Sequence, residues 1–256
     1  MNGVERTALV LGLSIVASGC GRKGPLIYPD MLVPAAPAAV TAQQSGSAVK
    51  LQFVIPDKNR AGRPVRDVAG VKISRRTTEA DQADVCPSCM NDYRLFQTLY
   101  VEHLPANAQR YGNLVVVIDG DVSAGSTYSY SVLPFTTGNV DGASAQTGAV
   151  SVVAALPAPL LKIESLPTEL KLQISLPFQI RGTLLGYNLY RSVVAAAQSY
   201  QPLNRKPVEN GEYVDSGLDR GVMYRYSARV LIKLKSGTVA ESAASNEVEG
   251  MLKDDE

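Results

Sequence analysis

The chain has 256 residues, 45% hydrophobic and only 6% aromatic, and its 25 Lys and Arg almost cancel its 24 Asp and Glu. A net charge of +1 lacks the basic excess that neutralises phosphates, so no nucleic acid is expected as a partner. One histidine, His103, removes His-dependent dyads, triads and multi-His metal centres, so neither that catalysis nor a cofactor is expected.

Met1 to Thr7 is short and polar, Ala8 to Val16 is apolar, and Ala17-Ser18-Gly19-Cys20 follows with small residues before a cysteine. The apolar run is too short for a bilayer of about 30 Å, which takes about 20 residues, so it reads as an export signal over residues 1–19. Residues 20–37 form a proline-rich linker, with Pro25, Pro29, Pro34 and Pro37 favouring extended, semi-rigid chain that serves as a spacer.

The signal resembles that of bacterial lipoproteins, which implies cleavage before Cys20 and acylation of its thiol. Ala17 departs from the leucine usual at that place. Several acyl chains anchor stably, since each buried methylene adds about 0.8 kcal/mol and one chain alone is marginal. Gly21 stands where an aspartate would resemble an inner-membrane retention signal, so the implied location is the outer membrane of a bacterial envelope, with the leaflet face open. The run Cys20-Gly21-Arg22-Lys23-Gly24-Pro25-Leu26 also resembles the start of the small lipoproteins that assist maturation of the lipopolysaccharide-transport barrel. A flexible stalk beside lipid accounts for the same residues.

Behind the linker the chain divides into segments 38–156 and 159–250, separated by Leu156-Pro157-Ala158-Pro159, with an acidic tail at 251–256. The segments repeat one another. Val49-Lys50-Leu51-Gln52-Phe53-Val54 aligns with Leu170-Lys171-Leu172-Gln173-Ile174-Ser175, each alternating apolar and polar residues as a half-buried strand does. Gly70-Val71-Lys72-Ile73-Ser74-Arg75 aligns with Gly186-Tyr187-Asn188-Leu189-Tyr190-Arg191, and Tyr128-Ser129-Tyr130 with Tyr224-Arg225-Tyr226. Asp119 and Asp215 precede those tyrosine pairs. Short strands, Gly and Pro turns and no sustained 3.6-residue period predict an all-β pair of sandwiches.

This succession of motifs resembles the fibronectin type III domain, which implies two tandem sandwiches of that type. Phe53 and Ile174 then occupy the place of the family's core tryptophan, and Tyr128 and Tyr224 are structural tyrosine-corner residues whose hydroxyls bond nearby backbone.

The first segment carries 20 more residues than the second between its third and sixth strands, including Cys86-Pro87-Ser88-Cys89. With Cys20 acylated, two thiols remain in an oxidising compartment, and a local disulfide is expected. A redox-active dithiol is the alternative, although a thioredoxin-like context is missing. A zinc site would need His103 and a carboxylate such as Asp92 besides the two cysteines.

Lys58, Arg60, Arg63 and Arg66 share one loop. The resemblance puts that loop at the N-terminal end, where with Arg22 and Lys23 it would touch anionic lipid; a solvated loop is the plain alternative. Period two leaves Tyr190 opposite Tyr187 and Leu189, as an exposed interface candidate. The functional expectation is a lipid-anchored, non-catalytic binding or structural module that meets an envelope protein. The alternatives are an accessory factor in transport-barrel assembly and a thiol-disulfide protein using Cys86 and Cys89.

Overall fold

The computed structural model describes residues 28–78 and 92–254. Among the described residues nine strands build the first sandwich: β1 (Ala38–Ser45), β2 (Ala48–Val54), β3 (Val68–Thr78), β4 (Arg94–Tyr100), β5 (Ala108–Tyr111), β6 (Leu114–Asp119), β7 (Thr127–Thr136), β8 (Ala145–Gln146) and β9 (Val150–Ser151). One sheet runs β1-β2-β6-β5 and the other β4-β3-β7, with β8 and β9 both on the far edge of β7. The alternation in β2 explains the layering: Val49, Leu51 and Phe53 point inward, where they meet Val115 and Val117 of β6, Ile73 of β3 and Tyr130 of β7. Each such side chain contributes roughly 1.5–3 kcal/mol when fully buried.

The second sandwich repeats this plan with β10 (Leu160–Ser165), β11 (Glu169–Ser175), β12 (Thr183–Val193), β13 (Glu212–Ser216), β14 (Tyr224–Lys233), β15 (Val239–Glu241) and β16 (Val248–Gly250). Its sheets are β10-β11-β13 and β12-β14, with β15 and β16 on the edge of β14. Leu170, Leu172, Leu189, Tyr226, Ala228 and Val230 fill the second core. Both halves share one strand order, three strands in one sheet (β1-β2-β6 and β10-β11-β13) and a long pair in the other (β3-β7 and β12-β14). In both, the alignment of Gly70 with Gly186 marks a bulge in the pairing with the next long strand. At Gly70 a Cβ would lie 2.1 Å from the carbonyl oxygen of Leu99, so no side chain fits. Much of the extra length of the first sandwich lies between β3 and β5. Where it has β4 as an edge strand, the second has a single bridge between Tyr187 and Val208.

The proline-rich stretch does not run free up to β1, as a spacer would. Pro29–Met31 form a 3-10 turn, Pro34 bridges Asn59, and Ala143 N–H donates to the Pro34 carbonyl at 2.9 Å. Pro157 and Pro159 do not leave the sandwiches separate either. The β15 strand of the second sandwich pairs in parallel with β1 of the first through Gln44 with Ala240 and Ser45 with Glu241. The result is one eight-stranded sheet shared by both sandwiches. Beside this seam, the Gln44 side chain donates to the Val153 carbonyl at 2.7 Å and accepts from the Val153 N–H at 3.0 Å.

Candidate functional site

Lys50, on the β2 face opposite Val49 and Leu51, is buried where it reaches β12 and β15 of the second sandwich. Its Nζ lies 2.9 Å from Glu241 Oε2 and donates to the Tyr190 hydroxyl at 2.9 Å. Ser45 Oγ donates to Glu241 Oε2 at 2.7 Å, while Asn188 Nδ2 and the Tyr190 hydroxyl donate to Oε1, each at 2.6 Å. Burial alone would push the Glu241 carboxyl up. The Lys50 charge and the bonds from Ser45 and Tyr190 outweigh it and hold the group below its ordinary value. Tyr190 moves the other way: burial first, then the Glu241 charge, raises its hydroxyl far above the ordinary phenol value.

Tyr190 is thus not an exposed interface residue; it is 5% accessible. Alternation placed it correctly on the outer face of its sheet, but the other sandwich covers that face. A second contact between the sandwiches lies on the β5 side. Gln109 Nε2 donates to the Gln198 carbonyl at 2.7 Å, Tyr200 donates to the Ala106 carbonyl at 2.9 Å, and the Tyr111 hydroxyl bonds Ser199 at 2.9 Å. Two clefts of about 500 and 740 Å³ flank Lys50 between these contacts. Among the described residues the one buried side-chain polar atom without a partner is the Gln43 amide nitrogen, and Gln43 lines the larger cleft.

Each sandwich also contains an Arg–Asp–Tyr cluster at repeat-equivalent positions. Arg75 Nη1 lies 2.9 Å from Asp119 Oδ2, to which the Tyr130 hydroxyl donates at 2.8 Å. Arg191 Nη1 lies 2.8 Å from Asp215 Oδ2, to which the Tyr226 hydroxyl donates at 2.7 Å. Burial and the adjacent carboxylate raise both tyrosine hydroxyls far above the ordinary value. The same arginines lie over the rings of Tyr128 and Tyr224, at 5.5 and 5.4 Å. Those two tyrosine hydroxyls accept from backbone N–H groups five residues upstream, Ser123 at 2.8 Å and Asp219 at 3.1 Å.

The loop carrying Lys58, Arg60, Arg63 and Arg66 is ordered by Asn59. Its side-chain oxygen accepts the Arg63 N–H at 2.9 Å and its N–H donates to the Arg63 carbonyl at 2.8 Å. All four cations are exposed. Arg60 pairs with Asp30 at 3.8 Å, whereas Lys58, Arg63 and Arg66 have no ion pair among the described residues. Cys20, Arg22, Lys23, Cys86 and Cys89 lie outside the described residues. His103 is exposed, and no cluster of metal-ligating side chains occurs among the described residues.

No protein-family model matches the chain, and no curated protein does. Among solved structures it is similar to the FN1-FN3 domains of chicken CNTN1, at 12% identity and a TM-score of 0.31, over 87% of this chain and 68% of that one. The sandwich assignment rests on the strand order of the chain itself.

Proposed function

We propose that the chain is a lipid-anchored cell-envelope protein that works by binding or scaffolding and not by catalysis. The observation that carries this reading is the use of its buried charges. Lys50, Asp119, Asp215 and Glu241 are the buried charged residues among those described, and each is engaged by an internal partner. Buried charges so engaged join sheets and sandwiches to one another instead of facing a cleft as free acids or bases. What the molecule offers outward is surface: a two-sandwich body with a cationic loop at one end.

Anchoring is tested by growing cells with a clickable palmitate. The expected result is label on the chain that Cys20→Ser abolishes; label that survives this change refutes acylation there. Crosslinking in intact cells, followed by mass spectrometry, identifies the envelope partner. The run from Cys20 to Leu26 favours a second reading, assistance in transport-barrel maturation. Grafting residues 20–29 onto an unrelated domain distinguishes the two, because a scaffold requires the sandwiches and the second reading requires the graft to suffice.

A further inference from the structure

Three segments lie side by side at the end of the first sandwich from which β1 departs. The N-terminal approach, residues 28–35, binds the cationic loop through Arg60 N–H to the Val33 carbonyl at 3.1 Å and Ala61 N–H to the Met31 carbonyl at 2.9 Å. It binds the 137–143 turn through Ala143 N–H to Pro34, and the Thr137 N–H of that turn donates to the carbonyl of Asp67 at the loop's end, at 2.9 Å. Each segment exposes what an interface between water and hydrocarbon accepts. Tyr28 is 64% accessible, and Leu32 and Val140 are each 50% accessible, so three large apolar side chains stand in solvent on one end. Lys58, Arg63 and Arg66 are exposed on the adjoining loop. Asp57 and Asp67 flank the loop beside Lys58 and Arg66, while Asp30 pairs with Arg60 and Asp141 with Lys72, which leaves Lys58, Arg63 and Arg66 without an ion pair among the described residues.

We infer that this end is a bilayer-contacting tip. Leu32 and Val140 enter the interfacial region of an anionic bilayer, and Lys58, Arg63 and Arg66 meet its headgroup phosphates. The inference rests on the anchored reading, because Cys20 precedes Tyr28 by eight residues, at most about 29 Å of chain. An anchor on so short a tether holds the tip near headgroups, within reach of charges otherwise screened beyond about 8 Å. Apolar insertion and cation–phosphate contact reinforce one another in such surfaces. The tip also sets an orientation. Because β1 leaves it toward Ser45, where β15 joins, the second sandwich stands on the side away from the bilayer.

The chain contains no tryptophan, so a single introduced indole reports its own position. The full-length protein, purified from cells as Val140→Trp, is mixed with phosphatidylcholine–phosphatidylglycerol vesicles carrying a nitroxide-labelled lipid. Its emission is expected to fall by roughly half, while that of Val214→Trp, 50% accessible in the second sandwich, stays unchanged. Leu32→Trp serves if Val140→Trp fails to fold. Each cation near an anionic surface adds about fivefold to contact, so Lys58, Arg63 and Arg66→Ser together remove up to roughly a hundredfold of it, and the quenching with it. Flotation in high salt is read in parallel. Flotation without quenching overturns the tip and leaves the anchor standing. Quenching that salt reverses, with loss of flotation, supports the tip and overturns the anchor. Neither signal overturns both.

Discussion

Lys50→Met removes one charge from the centre of the molecule and is expected to reverse the pH dependence of one carboxylate. Lys50 is 6% accessible and Glu241 fully buried, so their separation of 2.9 Å lies in a poorly solvated space. Breaking such a pair costs about 3–5 kcal/mol, and the low end applies because Ser45, Asn188 and Tyr190 still donate to Glu241. In the natural chain Glu241 is held below its ordinary value. The stability it contributes is therefore full above that value and lost as pH falls through the folded one. Without Lys50 the largest opposing influence is lost, and burial is expected to push the carboxyl up. Its contribution is then present at acid pH and lost as pH rises through the raised value. Urea denaturation of Lys50→Met across pH 4 to 8 should show a deficit of about 3 kcal/mol at neutral pH that shrinks toward acid. Lys50→Met combined with Glu241→Gln should recover much of it. A neutral-pH deficit below about 1 kcal/mol, or one independent of pH, would refute the argument that this pair locks the sandwiches together.

Asp119→Asn and Asp215→Asn should behave alike, each costing about 2 kcal/mol and lowering the melting temperature by about 4–8 °C, because each removes the charge shared by one arginine and one tyrosine. A large effect at one site and none at the other would contradict the equivalence of the clusters. Gly70→Ala is expected to cost more than about 3 kcal/mol, since its methyl would meet the Leu99 carbonyl, whereas Gly120→Ala, with open space around it, should be close to neutral in the same melts. Alkylation of the unreduced protein should leave Cys86 and Cys89 unmodified as a disulfide. A reduction potential below about −300 mV marks that bond as structural, and a higher one favours thiol exchange.

The strands at the heart of each core were legible because their alternation is local: Val49, Leu51 and Phe53 could face only one way once β2 was recognised as a strand. Tyr128 and Tyr224 were singled out by the fibronectin type III resemblance and not by alternation. The seam between the sandwiches was not legible. Lys50-Leu51-Gln52 and Lys171-Leu172-Gln173 are identical in sequence and equivalent in the repeat, yet Lys50 is 6% accessible and Lys171 is 47%. Nothing within either strand distinguishes them, because the second sandwich lies over Lys50 in β2, whereas no described residue covers Lys171 in β11 to the same extent. Tyr190 was read as exposed for that reason. Glu241 carried the remaining signal, a carboxylate in a short strand between alanine and serine, but naming its partner required two residues 191 positions apart to be brought together.

The parallel pairing of β1 with β15 has a consequence for folding. A chain that emerges N-terminus first completes the strands of its first sandwich at Ser151, yet β1 finds its neighbour only when Ala240 has appeared, 240 − 151 = 89 residues later. Until those residues arrive and fold, the outer edge of β1 stays unpaired. An unpaired strand edge is a template for another chain's backbone, so nascent copies are most prone to join one another during that interval.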